Sequence, residues 1–146
     1  MREETGGADQ ELKKVDHLVF VTLKYTRTVD IIRSAVDRMI ITLNIQFNDT
    51  LEELKEVGKV AEVPAAPVMR TKLLEVTFPK DKELKTIIDF YYHLKKIYNG
   101  EYKKKEEYRK NVALVTEEAE VNIEALKDYV ARMTRYINYL RDLSKI

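Results

Sequence analysis

Cysteine and tryptophan are absent from the 146 residues of this chain, glycine occurs four times, proline three times and histidine twice. Without cysteine there is no disulfide, no thiolate metal site and no cysteine nucleophile. Glycine is too scarce for a phosphate-cradling loop, since Gly58 and the Asn99-Gly100 pair stand isolated. No apolar run approaches the ~18–20 residues that span a bilayer. The opening Met1-Arg-Glu-Glu-Thr-Gly-Gly is polar and lacks the apolar centre of a signal peptide. Net charge is also nearly missing: 26 Lys and Arg stand against 25 Asp and Glu, giving +1. Such a balance supplies no long-range field, so contact with nucleic acid has to come from a local patch. These absences lead to the expectation of a cytoplasmic protein with no cofactor and no membrane partner.

What is present is 45% hydrophobic residues and 35% charged ones, enough apolar material for one self-sufficient core. High Lys and Glu with little Gln gives a thermophile-like composition. The clearest pattern is a seam near the C-terminus, where Ala119, Ile123, Leu126, Val130, Met133, Ile137 and Leu140 recur at steps of four and three. That spacing keeps one stripe of a helix facing a partner helix. Tyr129, Tyr136 and Leu143 flank the seam and widen it, towards either a second helix of the same chain or a neighbouring subunit. Tyr25, Val29, Ile32, Val36, Met39 and Leu43 form a second stripe.

Read along the chain, residues 1–9 form a loose tail with Gly6-Gly7 as breaker, and 10–146 form a single helical-bundle domain. A helix from Asp9 or Asp16 to about Phe47 is central, because Leu18-Val-Phe-Val and 39–47 are apolar nearly all round. Asn48-Asp49-Thr50 interrupts it, and Thr50 with Glu53 forms a capping box for a short helix to about Val60. Pro64 and Pro67 mark an extended connector. A helix from about Pro67 to Val76 follows, then one capped by Asp81 that ends in a left-handed residue at Asn99-Gly100. Glu101–Lys110 reads as a helix laced with opposite charges four apart. Residues 112–123 alternate enough for a small hairpin around Glu117-Glu118, with Asn122 capping the last helix; the competing reading is one helix from Glu101 to the C-terminus. The fold class expected is all-α, an up-and-down bundle of four to five helices with a small β-hairpin near 112–123.

Two constellations carry chemistry. Residues 91–110 interleave tyrosines with bases, and seven Lys or Arg against three Glu leave this window at +4. Lys95, Lys96, Lys103, Lys104, Lys105, Arg109 and Lys110 can neutralise phosphates while Tyr102 and Tyr108 offer rings to unpaired bases. The acids that follow, Glu117, Glu118, Glu120 and Glu124, suggest a polarity hidden in the neutral total. The bland alternative is a solvated helix face. His93 stands one turn after Asp89 and is the weak metal or general-base candidate. His17 reads as a packing or capping residue. Ser34 and Ser144 have no partner that would make either a nucleophile. Arg27, Asp30, Arg33 and Asp37 read as an exposed mixed-charge face.

The segments Tyr91-Tyr-His-Leu-Lys-Lys, Glu106-Glu-Tyr-Arg-Lys-Asn-Val and Glu120-Val-Asn-Ile resemble stretches of small archaeal helical proteins. The overall plan resembles HEPN-type bundles, over about Val63 to Leu143. HEPN ribonucleases carry an Arg followed, four to six residues on, by a His. Neither His17 nor His93 has an Arg in that range, so the resemblance implies a binding or partner role, beside a nucleotidyltransferase for instance, and supplies no catalytic residue.

The function expected first is a non-enzymatic interaction protein, a homodimer that pairs through Ile123, Leu126, Tyr129, Val130, Met133, Tyr136, Ile137 and Leu140 and exposes the Tyr129–Tyr136–Leu143 row. The alternative is a single-stranded RNA-binding or inactive HEPN-like module that uses the basic Tyr/Lys patch.

Overall fold

The computed structural model describes residues 6–145, five helices and a small sheet. Helix α1 (Gly6–His17) runs on through a π-helical turn (Leu18–Thr22) into a last turn, Leu23–Tyr25. Helices α2 (Val29–Glu56), α3 (Pro67–Thr77), α4 (Lys82–Asn99) and α5 (Ile123–Asp142) follow, with a short 3-10 turn at the end. Strands β1 (Tyr102–Lys105), β2 (Ala113–Thr116) and β3 (Glu120–Asn122) lie between α4 and α5 as an antiparallel sheet in the order β1-β2-β3.

Helix α2 is the axis of the domain and packs on α1, α3, α4, α5 and β2. Val29, Ile32, Val36, Met39, Leu43, Phe47, Leu51 and Leu54 are fully buried on it. The Phe47 ring meets Tyr91 of α4 edge-on at 5.2 Å, and the Tyr91 hydroxyl donates to Asn44 Oδ1 at 2.7 Å.

Both expected limits of this helix move. Its start is at Thr28, whose Oγ1 accepts from Ile31 N at 3.3 Å, and the preceding helix has already ended at Thr26, which leaves helical geometry at φ −134°. Tyr25 therefore leaves the apolar stripe and is 83% exposed. The Leu18–Thr22 turn is not all-round buried either: Val19 is inside, whereas Phe20 and Val21 face solvent. At the other end the helix runs straight through Asn48-Asp49-Thr50. Thr50 caps nothing; it is buried, and its hydroxyl donates to Leu140 O of α5 at 2.9 Å and accepts from the Gln46 amide at 3.1 Å. The weak helix propensity of Asn, Asp and Thr costs tenths of a kcal/mol each. Burying Leu51 and Leu54 one turn further stabilises by more.

The tail expectation is corrected in part. Residues 1–5 lie outside the described residues, but Gly6–Asp9 open α1, and Ala8 is buried. Gly7 is no breaker: a Cβ there would stand 3.0 Å from Ile45 Cγ2, so its bareness lets α1 approach α2.

The later elements follow the sequence more closely. Pro67 occupies the first turn of α3, and Asp81 Oδ1 caps α4 by accepting from Leu84 N at 2.9 Å. Gly100 ends α4 without a left-handed turn, at φ −80°; a side chain there would meet Lys96 O at 2.9 Å. The hairpin of β2 and β3 turns at Glu117-Glu118, and Asn122 caps α5 by accepting from Ala125 N at 2.8 Å. The single long helix from Glu101 is thereby excluded.

The C-terminal seam is spent inside the chain. Leu126, Val130, Met133, Ile137 and Leu140 are buried, Ile123 half-buried, and Ala119 sits in the β2–β3 turn. The expected exposure of the flanking row is not found: Tyr129, Tyr136 and Leu143 are buried as well, the first two around the Phe90 ring.

Asp81 also fastens α5 to α4, since its Oδ2 accepts from the Tyr139 hydroxyl at 2.5 Å. Burial and this hydrogen bond push the Tyr139 phenol up to about 12 from 10.0. The folded chain thus favours the neutral phenol. The stabilisation is complete below pH 10.0 and disappears as pH rises through about 12. In Tyr139→Phe, urea denaturation across that alkaline window should show a shallower loss of stability than in the parent chain. Identical profiles would assign the loss to other groups.

Candidate nucleic-acid interface

The expected helix over Glu101–Lys110 is instead a strand and a loop. Tyr102, Lys103, Lys104 and Lys105 form the edge strand β1, paired with Thr116, Val115, Leu114 and Ala113 of β2 and exposed throughout. The i,i+4 pairs that suggested a helix do not form. The lysines reach across the sheet and beyond it: Lys105 meets Glu120 of β3 at 3.0 Å, and Lys104 lies 3.8 Å from Asp30 and 3.9 Å from Glu107. A lysine-rich edge also discourages pairing with a foreign strand.

A cation–π bridge through Arg33 ties β1 to α4 and α2. The Arg33 guanidinium lies between the rings of Tyr98 and Tyr102, 4.6 and 4.5 Å from their centroids, and its Nη2 donates to Tyr98 O at 3.0 Å. Arg33 is therefore not part of an exposed mixed-charge face. Tyr102 is correspondingly engaged on one face rather than free to stack on a base.

The loop 106–111 is anchored to the start of α2. Val29 N donates to Glu107 Oε2 at 2.6 Å, which places a carboxylate at the positive end of that helix. Tyr108 N donates to Arg27 O at 2.7 Å. On either side of Glu107, Glu106 and Tyr108 adopt left-handed φ of 55° and 69°. Neither is glycine, so each stores about 1 kcal/mol or more of strain. One outcome is that Tyr108 projects into solvent, 74% exposed.

Of the sequence-predicted patch, Lys103, Arg109 and Lys110 have no acidic partner among the described residues. Lys96 has none either, and Lys95 lies over the Tyr91 ring at 5.5 Å. Lys104 and Lys105 are partly neutralised as above. The sequence polarity between bases at 91–110 and acids at 117–124 is thus folded against itself, which leaves Lys103, Arg109 and Lys110 as the unpaired bases around a 106–111 loop that also carries Glu106 and Glu107.

The metal candidate does not assemble. His93 turns from Asp89 to Glu118, with Nδ1 2.6 Å from Glu118 Oε2 and Nε2 3.1 Å from the Tyr129 hydroxyl. Both ring nitrogens are engaged, and no group of three metal-ligating side chains occurs among the described residues. The pair ties the β2–β3 turn to α4 and α5. Burial raises the Tyr129 phenol above its ordinary value. His17 faces solvent, its Nδ1 3.3 Å from Thr22 Oγ1 across the π turn.

Arg27, read from the sequence as part of an exposed mixed-charge face, instead stands half-buried at the break before α2, its Nε buried and without a hydrogen-bond partner among the described residues. The Thr-Arg-Thr stretch around it carries weak helix formers, the one signal available. Among the described residues no helix is long and apolar enough to cross a membrane. Comparison with protein-family models, with curated proteins and with solved structures finds no match.

Removing the Arg33 stack should free the sheet edge. Arg33→Ala is expected to cost roughly 1–2 kcal/mol and to speed amide hydrogen exchange over Tyr102–Lys105, with Arg33→Lys restoring part of the protection. Unchanged exchange at β1 would show that β2 alone holds the strand.

Proposed function

We propose that this protein is a non-enzymatic module that binds single-stranded RNA on its basic hairpin face. The observation that carries the reading is the 106–111 loop beside β1, where Lys103, Arg109 and Lys110 have no acidic partner among the described residues and Tyr108 stands clear of the surface. Phosphates of a flexible strand meet the cations, and an unpaired base stacks on the tyrosine. Tyr25, exposed at the nearby end of the first helix, adds a second ring. A lysine-rich edge and a projecting ring track a backbone without reading base edges, so weak sequence preference belongs to the proposal. The HEPN resemblance fits a binding role of this kind, and the cytoplasm is the compartment in which we place it.

A second reading, protein interaction including self-association, draws support from α3. Val68, Met69 and Val76 of that helix are exposed, as is Val57 before it. This face, not the C-terminal seam, is where a protein partner or a second copy would dock.

The RNA reading is tested by fluorescence anisotropy with a labelled oligouridylate over a range of salt. Affinity should fall steeply with salt, and Lys103→Gln/Arg109→Gln should flatten the log–log slope by about 0.7 per contact removed. An affinity and slope unchanged in the double variant would reject the hairpin as the binding face.

A further inference from the structure

Arg27 carries an arrangement that the fold does not explain. Its Nε is buried without a hydrogen-bond partner, and its guanidinium meets no carboxylate among the described residues. Arg33 Nε is likewise unpartnered, but that guanidinium is held by two rings and a carbonyl. Arg27 has no such support. A guanidinium left unpaired in this way is placed to donate to an acceptor that a ligand brings.

Two cavities share Arg27 and Ile123 as lining. One, about 250 Å³, has Lys110, Asn111 and Asn122 in its wall. The other, about 260 Å³, is lined by the exposed Phe20 and the half-buried Ile123, with Lys24 and Lys127 and the buried Val19 and Leu23 also in its wall. The two adjoin at Arg27 and Ile123, so one ligand can reach from one into the other past the guanidinium. The one carboxylate in the lining, Glu124, lies 3.6 Å from Lys127, so Arg27, Lys24 and Lys110 remain in excess. The N-terminus of α5, capped by Asn122, adds its positive end to the first cavity. The second is built by the π turn, which turns Val19 and Leu23 inward and leaves Phe20 presented at the opening.

We propose that this cleft binds a phosphate ester with a planar apolar body, the phosphate against Arg27 and Lys110 and the body against Phe20 and Ile123. A guanidinium is suited to this because its fork of donors matches phosphate oxygens two at a time. The chemistry is the same whether the group is a free small molecule or one unit of a bound strand. In the second case the inference rests on the RNA reading, with Lys110 shared by loop and cleft.

The test is calorimetric titration of the full chain with adenosine monophosphate, adenosine, inorganic phosphate and a 5′-phosphorylated oligouridylate. Adenosine monophosphate should bind one to one, about tenfold or more tighter than adenosine or phosphate alone, because both halves of the cleft are then filled. Arg27→Met should lower that affinity about tenfold, as should the surface pair Lys24→Met/Lys110→Met, which avoids any folding defect at Arg27. Lys103→Gln/Arg109→Gln should leave it unchanged. If the oligouridylate competes with adenosine monophosphate and also depends on Arg27, the cleft seats part of a strand; if it does not compete, the ligand is a free phosphate ester. No binding by any phosphorylated probe, or affinities indifferent to both sets of cleft variants, overturns the inference. Loss of strand binding in Lys103→Gln/Arg109→Gln bears on the hairpin alone, so the two proposals fail separately.

Discussion

Everything else in this molecule is arranged around the need to keep one long helix out of water. Helix α2 is apolar on more than one side, and its buried residues from Val29 to Leu54 meet α1, α4 and α5 along its length. Fully burying a side chain the size of Leu, Ile or Phe stabilises by about 1.5–3 kcal/mol, so eight such residues dominate over any local preference of the backbone. That is why three weak helix formers at 48–50 fail to stop the helix, and why the C-terminal seam is taken up by its own chain. A stripe that α2 already covers is buried within its own chain.

What could be read from the sequence was what rests on burial with a clear period or on a cap with a single geometry. The last helix and its Asn122 cap, the Asp81 cap, the start of α3 at Pro67 and the β2–β3 turn all belong to this class. The misread places are those where local chemistry is ambiguous. Charges spaced four apart at 101–110 fit a helix, but a segment rich in Lys and Glu produces that spacing without needing one. The strand that forms there is an edge with all four side chains exposed, so no apolar alternation betrays it. Thr28 is a good N-cap, yet the apolar residues on both sides of it hid the break.

The candidate interface shows the same division. Its cations were legible as a basic window, but their neutralisation was not, because Glu120 and Asp30 are brought to Lys105 and Lys104 by the sheet and by the start of α2. The strained loop at 106–111 and the orphaned Arg27 arise from tertiary anchoring and have no motif. They are also the places where the structure departs from the consistency that a purely structural segment would show, with left-handed non-glycine residues and a buried unpaired donor side by side at the start of α2.

The central claim is that the apolar stripes are satisfied within one chain and that the exposed basic face is what meets a partner. Size-exclusion chromatography with light scattering, reading absorbance at 260 and 280 nm on the same peak, tests it most directly. With nine tyrosines and no tryptophan, a small amount of bound nucleic acid shifts the ratio visibly. The account predicts the mass of one chain, with nucleic acid carried at low salt and released at high salt. A stable dimer free of nucleic acid at every salt concentration would contradict it.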